Sequence, residues 1–295
     1  MKPSTAAEHD AASGSESSDA RSLEQSLLTW LSDCPGAVVA FSGGVDSAVV
    51  AQAAFNFLPR RAIAVTADSP SLARSELIQA CNLAKRIGIE HRLVSTTEVL
   101  DPAYLRNDSQ RCFHCKSHLF DSLRQMTEVR DRGWWILTGT NRDDLGDWRP
   151  GLHAADIYGA RSPLAELGID KAAVRALAQW WQLPVADKPA SPCLSSRVAY
   201  GVEVTQERLA MVEGAEAELR ELGLTEFRVR LHAGELARIE VPIDQLARLT
   251  DGAVRERVVR RLAKLGFQFV TLDLQGFSSG SLNRLISISP PASEQ

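Results

Sequence analysis

The chain has 295 residues, 44% of them hydrophobic and 24% charged, with a formal net charge of -4. This balance fits a globular protein with one large domain and a smaller one, and the acidic surplus disfavours nucleic-acid partners, whose phosphates call for excess Lys and Arg. No apolar run approaches the roughly 20 residues that cross a bilayer, and the opening "MKPSTAAEHDAASGSESSDA" has no signal-type apolar stretch, so a cytoplasmic protein with no membrane partner is expected.

In chain order, residues 1–20 are rich in Ser, Ala, Asp and Glu and too poor in apolar side chains to repay ordering, which predicts a disordered tail. A helix follows from Ser22, with Leu23, Leu27, Trp30 and Leu31 at helical spacing. "GAVVAF" then reads as a buried strand. Next come a helix from about Ala48 to Phe57, a strand "RAIAVTA", a helix from about Ser71 to Ile87, a strand "EHRLVS", a helix from about Lys116 to Arg130 and a strand "WWILTGT". Strands alternating with helices predict an α/β fold, a parallel sheet with helices on both faces. After a helix at about 170–181, the Pro-rich "LPVADKPASPCLSSRVAYG" reads as a junction between domains. Beyond it, a helix at 205–222, strands "EFRVRLH" and "LARIEV" around a short loop, a helical stretch at 242–265 and a strand "FQFVTLDL" predict a small α+β domain. The expected boundaries are 21–190 and 191–285, with a flexible tail at 286–295.

The strongest local signal is "AFSGGVDSAVV". A buried strand runs into Ser42, Gly43, Gly44, Val45, Asp46 and Ser47, where a helix begins. Glycines let backbone N–H groups approach a phosphate, the helix start adds a favourable dipole, and Ser42 and Ser47 add hydroxyl donors. No G-x-x-x-x-G-K-[ST] is present, so this is not the loop that grips a γ-phosphate. A second polar loop, "GTNRDD", follows the fourth strand at Gly139 to Asp144.

Five cysteines in a reducing compartment point to thiols or metal ligation rather than a disulfide framework. "RCFHCK" places Cys112 and Cys115 in a C-x-x-C spacing, which on its own fits zinc, a redox pair, an iron–sulfur site or a plain helix start. Cys34 and Cys81 read as small hydrophobes. In "FRVRLH" alternation puts Phe227, Val229 and Leu231 on one face and Arg228, Arg230 and His232 on the other, which on spacing alone is a solvated strand face.

The S-G-G-x-D-S element resembles the PP-loop of ATP pyrophosphatases, whose members include NAD synthetase, GMP synthetase and several RNA thiolation enzymes. The resemblance implies ATP and Mg²⁺ as cofactors and adenylation chemistry, with pyrophosphate held by Ser42, Gly43, Gly44, Asp46 and Ser47. It places adenine beside Val65, Thr66 and Ala67, at the C-terminal end of the second strand. Gly139, Thr140 and Asn141 would meet ribose or phosphate, and Asp46, Asp143, Asp144 and Asp147 are unranked candidates for Mg²⁺.

Taken in order, "RCFHCK", "GTNRDDLGDWRPG", "RSPLAELGIDK", "KPASPCLSSRVAYG", "RVRLHAGELARIEV" and "DLQGFSSGSLN" resemble the ATP-dependent sulfur transferases of nickel-pincer nucleotide cofactor synthesis, over residues 23 to 285. The resemblance implies conversion of the carboxylates of pyridinium-3,5-biscarboxylic acid mononucleotide to thiocarboxylates, a sulfide source and a homo-oligomer. In one branch of that family a lone cysteine, matched here by Cys193, gives up its own sulfur and becomes dehydroalanine. In another, three cysteines hold a [4Fe–4S] cluster whose fourth iron takes hydrosulfide; Cys112, Cys115 and Cys193 match this arrangement, the preferred reading. Ser196 and Arg197 would orient the carboxylate or AMP, and Arg228 and Arg230 would clamp the mononucleotide phosphate. The chain departs from the family pattern at Ser278, where an Arg is expected after the aromatic residue, and at Ile157, where an acid is usual. Three alternatives stay open: Cys193 as a single-use donor, an ammonia-dependent ligase resembling NAD or GMP synthetase, and an ATP-sensing module with a structural zinc that His114 or His118 would join.

Overall fold

The computed structural model describes residues 6–146, 150–278 and Leu282, with side chains from Asp19 onward. Asp147, residues 1–5 and the expected tail at 286–295 lie outside the described residues. The chain divides into two compact units, one of residues 1–97 and 112–191, the other of residues 98–111 and 192–295. The junction therefore falls within the expected Pro-rich stretch, while the excursion of 98–111 into the second unit left no mark in the sequence pattern.

In the first unit, β1 (Ala37–Ala40), β2 (Ala62–Asp68), β3 (Glu90–Ser95) and β4 (Trp135–Leu137) form a parallel sheet in the order β3-β2-β1-β4. The central strands are continuous apolar runs because both faces are covered. Ala37, Val39, Ala62, Ala64 and Leu137 pack on one side with the helices Val45–Phe57 and Lys171–Trp180 and with Leu27 and Leu31. Val38, Ile63, Val65 and Ile136 pack on the other with Leu119, Phe120, Leu123, Ala154 and Ala155. The α/β class with helices on both faces is thus what the chain adopts.

Two helices differ from expectation. The first runs Ala6–Leu31 rather than from Ser22; its early residues are rich in alanine, the strongest helix former, despite their lack of apolar side chains. The helix expected from Lys116 begins at Arg111 and ends at Arg124, so the C-x-x-C lies in its first turn, with a separate turn at Thr127–Arg130.

The second unit carries a three-stranded sheet, β5 (Arg228–His232), β6 (Leu236–Glu240) and β7 (Phe269–Leu272), with β5 and β6 antiparallel and β6 and β7 parallel. Thr205 and Asp251 cap the helices Gln206–Glu221 and Gly252–Leu265 through their side-chain oxygens. Two ion pairs lie inside it: Arg197 with Glu216, Nε to Oε1 3.0 Å, and Arg230 with Glu240, Nη2 to Oε2 2.9 Å. Arg238 also reaches Glu240, at 2.9 Å. The Glu240 side chain is 0% exposed, so its removal deprives Arg230 and Arg238 of a shared buried carboxylate, with Asp273 still 3.6 Å from Arg238. Glu240→Ala is expected to destabilise the protein by about 3–5 kcal/mol, read as a shift of the urea midpoint.

Candidate active site

The nucleotide end of the first unit is built where β1 stops. Gly43 has φ +72°, a left-handed conformation that β-carbon sterics penalise, and a β-carbon there would also stand 3.0 Å from the Cα and Cβ of Ala80. Gly44 caps the Val45–Phe57 helix without any side-chain bond, so the first helical amides, which have no intrahelical acceptor, remain directed outward. The loop is fixed from within. Ser47, buried, donates to the Gly44 carbonyl at 3.1 Å, lies 3.2 Å from Ser42 Oγ, and accepts from the Ser42 amide at 3.3 Å.

Gly139 explains how the second loop joins the first. A β-carbon on it would sit 2.6 Å from the Ser47 nitrogen and 2.9 Å from the Asp46 carbonyl carbon, so only hydrogen fits behind the helix start. Asn141, 3% exposed, donates from Nδ2 to Asp46 Oδ1 at 3.0 Å and accepts from the Asp143 amide at 2.9 Å; its own amide donates to Asp144 Oδ2 at 3.1 Å. Thr140 contributes its carbonyl to the Ala165 amide and its hydroxyl to a contact with Thr138 at 3.2 Å.

Lys171 is a site residue that the sequence reading passed over. Its Nζ lies 2.5 Å from Asp46 Oδ2, and its amide donates to Asp143 Oδ2 at 3.0 Å. Asp170, the helix cap beside it, is held below the usual carboxylate range by the Ala173 amide and by Arg142. The signal was present in "GIDK", a capping Asp followed by a lysine at the first helical position.

Thr66 stands near the end of β2, where adenine is expected. It is buried, and its hydroxyl donates to the Phe41 carbonyl at 2.7 Å and meets His91 Nε2 at 2.9 Å. The side chain therefore fixes the residue before the loop. Burial holds His91 below its ordinary pKa, in the neutral form.

Cys112 is exposed and Cys115 half-buried, neither of them in a disulfide. At i and i+3 in the first turn of Arg111–Arg124 they share a helix face. Phe113 stacks on His153 with centroids 5.6 Å apart, and His118 Nδ1 lies 3.4 Å from the Thr97 hydroxyl. Cys34 is buried with its thiol pushed up by burial, and it donates to the Gly36 carbonyl at 3.1 Å. Among the described residues no three His, Cys, Asp or Glu side chains are grouped as ligands of a metal ion.

In the second unit Cys193 is exposed at the start of the short 3-10 turn Leu194–Arg197. Its carbonyl accepts from the Ser196 amide at 3.0 Å, from Ser196 Oγ at 2.7 Å and from Arg197 Nη1 at 3.0 Å. Arg197 also donates to the Pro192 carbonyl, and Arg230 donates to that of Ser196 at 3.1 Å. Two of the residues expected at the substrate are thus engaged within the unit. The guanidinium groups of Arg197 and Arg230 are buried on Glu216 and Glu240, and they hold the cysteine turn through its carbonyls.

Arg228 is different. It is half-buried and stacks over Phe277 at 5.2 Å, with no carboxylate at ion-pair distance among the described residues. Its pKa is lowered by burial and then by the neighbouring charges of Arg197 and Arg230. A cation so placed is suited to an anion.

Comparison with known proteins follows from this geometry. The family described as NAD synthase matches residues 21–119. An uncharacterized protein of Synechocystis sp. is 44% identical over 263 residues, 89% of this chain and 97% of that protein. The pyridinium-3,5-bisthiocarboxylic acid mononucleotide synthase of Lactiplantibacillus plantarum is 38% identical over 259 residues, 87% of this chain and 92% of that one. A solved structure of NMN synthetase from Francisella tularensis superposes with a TM-score of 0.45 at 22% identity, covering 58% of this chain and 75% of that chain.

Two outcomes are expected. Gly139→Ala forces backbone apart at Ser47 and should cost about 1–3 kcal/mol, as overpacking does, measured by denaturant unfolding. Because His91 is neutral when folded, the unfolded chain binds more protons below its ordinary pKa of 6.5; stability is present above that pH and falls on acidification through the folded value. His91→Asn should flatten that slope in melts taken from pH 7 downward.

Proposed function

Because the chain belongs to the pyridinium-3,5-bisthiocarboxylic acid mononucleotide synthase family, we propose that it activates the carboxylates of pyridinium-3,5-biscarboxylic acid mononucleotide with ATP and converts them to thiocarboxylates. The observation that carries this reading is the loop Ser42–Ser47, with its outward amides, its glycine-backed packing and the Asp46–Lys171 pair beside it. A carboxylate oxygen attacks the α-phosphorus of ATP, and pyrophosphate leaves into the loop, where amides and hydroxyls neutralise its charge. Hydrosulfide then attacks the acyl carbon and AMP departs with the carboxylate oxygen. Each turnover releases AMP, pyrophosphate and one proton.

Mg²⁺ would offset the charge on the phosphates, and Asp46 and Asp143, joined through Lys171, are the carboxylates suited to it. Arg228 takes the phosphate of the mononucleotide, with Ser196 half-buried beside the cysteine. Sulfur delivery falls to Cys112, Cys115 and Cys193. Two thiols on one helix face and a third on a braced turn are a donor set that suits three corners of a [4Fe–4S] cluster, which when bound offers an open iron for hydrosulfide. Cys112 and Cys193 each stand within two residues of a passage of chain from one unit to the other. The same reading takes the cytoplasm as its place, a sulfide source as its partner and a homo-oligomer as its assembled form.

An anaerobic assay with the biscarboxylated mononucleotide, ATP, Mg²⁺ and sulfide should give several turnovers per chain. A Cys112→Ser, Cys115→Ser double variant should stop at one sulfur per chain or fewer, supplied by Cys193 itself, while ATP–pyrophosphate exchange persists. Repeated turnover without the pair would sink the three-cysteine reading.

A further inference from the structure

The excursion 98–111 carries four buried polar side chains, Glu98, Tyr104, Asn107 and Arg111. Tyr104, 1% exposed, places its hydroxyl 2.5 Å from Ser195 Oγ. Asn107, fully buried, has φ +54°, an uncommon conformation that asparagine tolerates better than most residues. Its Nδ2 donates to the carbonyls of Ala199 at 2.9 Å and Val202 at 2.8 Å. Arg111, 6% exposed, donates from Nη1 to Asn107 Oδ1 at 2.5 Å and to the Ser195 carbonyl at 2.8 Å, with its guanidinium 5.8 Å over the Tyr200 ring.

Burying a guanidinium against carbonyl and amide oxygens is costly in desolvation, and a well-packed apolar residue would hold a loop at lower cost. What the guanidinium adds is direction. It fixes the carbonyl two residues beyond Cys193, completing the capture of the turn that Arg197 and Arg230 begin at Pro192, Cys193 and Ser196. Arg111 is also the first residue of the helix that bears Cys112 and Cys115.

We propose that Arg111 is a positioning residue for sulfur transfer, setting the Cys193 turn through the Ser195 carbonyl. The proposal rests on the reading in which these cysteines deliver sulfur. Arg111→Met should lower the kcat of thiocarboxylate formation by roughly 10- to 100-fold, the scale set by a ~1 Å misplacement. KM for ATP and for the mononucleotide, and ATP–pyrophosphate exchange, should stay at wild-type values, and Arg111→Lys should recover part of the lost rate. In parallel, amide hydrogen exchange is read at Ser196 and Val198, whose N–H groups bond the Cys193 and Ser195 carbonyls; it should quicken in Arg111→Met. Unchanged kcat, a parallel loss of exchange activity, or a lysine variant no better than methionine would overturn the proposal. So would wild-type amide protection in Arg111→Met, whatever the activity does. A wild-type protein that neither exchanges pyrophosphate nor forms thiocarboxylate would instead sink the functional reading, with the amide measurement still deciding the role of Arg111.

Discussion

A phosphate can be held at the end of β1 only if the backbone of Ser42–Ser47 is supported from behind by nothing larger than a hydrogen atom. Gly139 meets that condition beneath Ser47, and Gly43 meets it against Ala80. The rest of the nucleotide end follows from this close approach. Once the β4 loop lies directly under the helix start, Asn141 reaches Asp46, Asp143 and Asp144 fold back onto Asn141, and the helix at Lys171 delivers an ammonium to the same carboxylate. No lysine within the loop itself is needed, because open amides and a helix start supply the positive end.

In the second unit the exposed Cys193 begins a short turn whose backbone is held from several sides. Backbone carbonyls at Pro192, Cys193, Ser195 and Ser196 each accept from a buried arginine. Glu216 and Glu240 offset the charge of two of those arginines inside the unit. Arg228 has no carboxylate at ion-pair distance among the described residues and donates to the Phe227 carbonyl at 2.6 Å.

The nucleotide end was legible in the sequence because its signals are local. "GAVVAF" running into two glycines and a helix specifies its own geometry, and the C-x-x-C needs only four residues to be recognised. The arginines were not legible in the same way. Alternation placed Arg228 and Arg230 on one face of β5, yet the fate of each depends on Glu240 from the next strand and Glu216 from a helix, long-range partners that no spacing encodes. Thr66 was placed correctly at the end of β2, but its hydroxyl turns inward to the Phe41 carbonyl. The segment 98–111 carries no local signal of its place, since its ties to Ser195, Val198 and Ala199 span about ninety residues.

The central claim is that a substrate carboxylate is joined to AMP before sulfur arrives. It is tested most directly with mononucleotide whose carboxylates carry ¹⁸O, followed by mass spectrometry of the nucleotide products. If the carboxylate oxygen attacks the α-phosphorus and is displaced by sulfur, the AMP released carries one heavy oxygen and the pyrophosphate none. Label in the pyrophosphate, or unlabelled AMP formed alongside thiocarboxylate, would contradict the account.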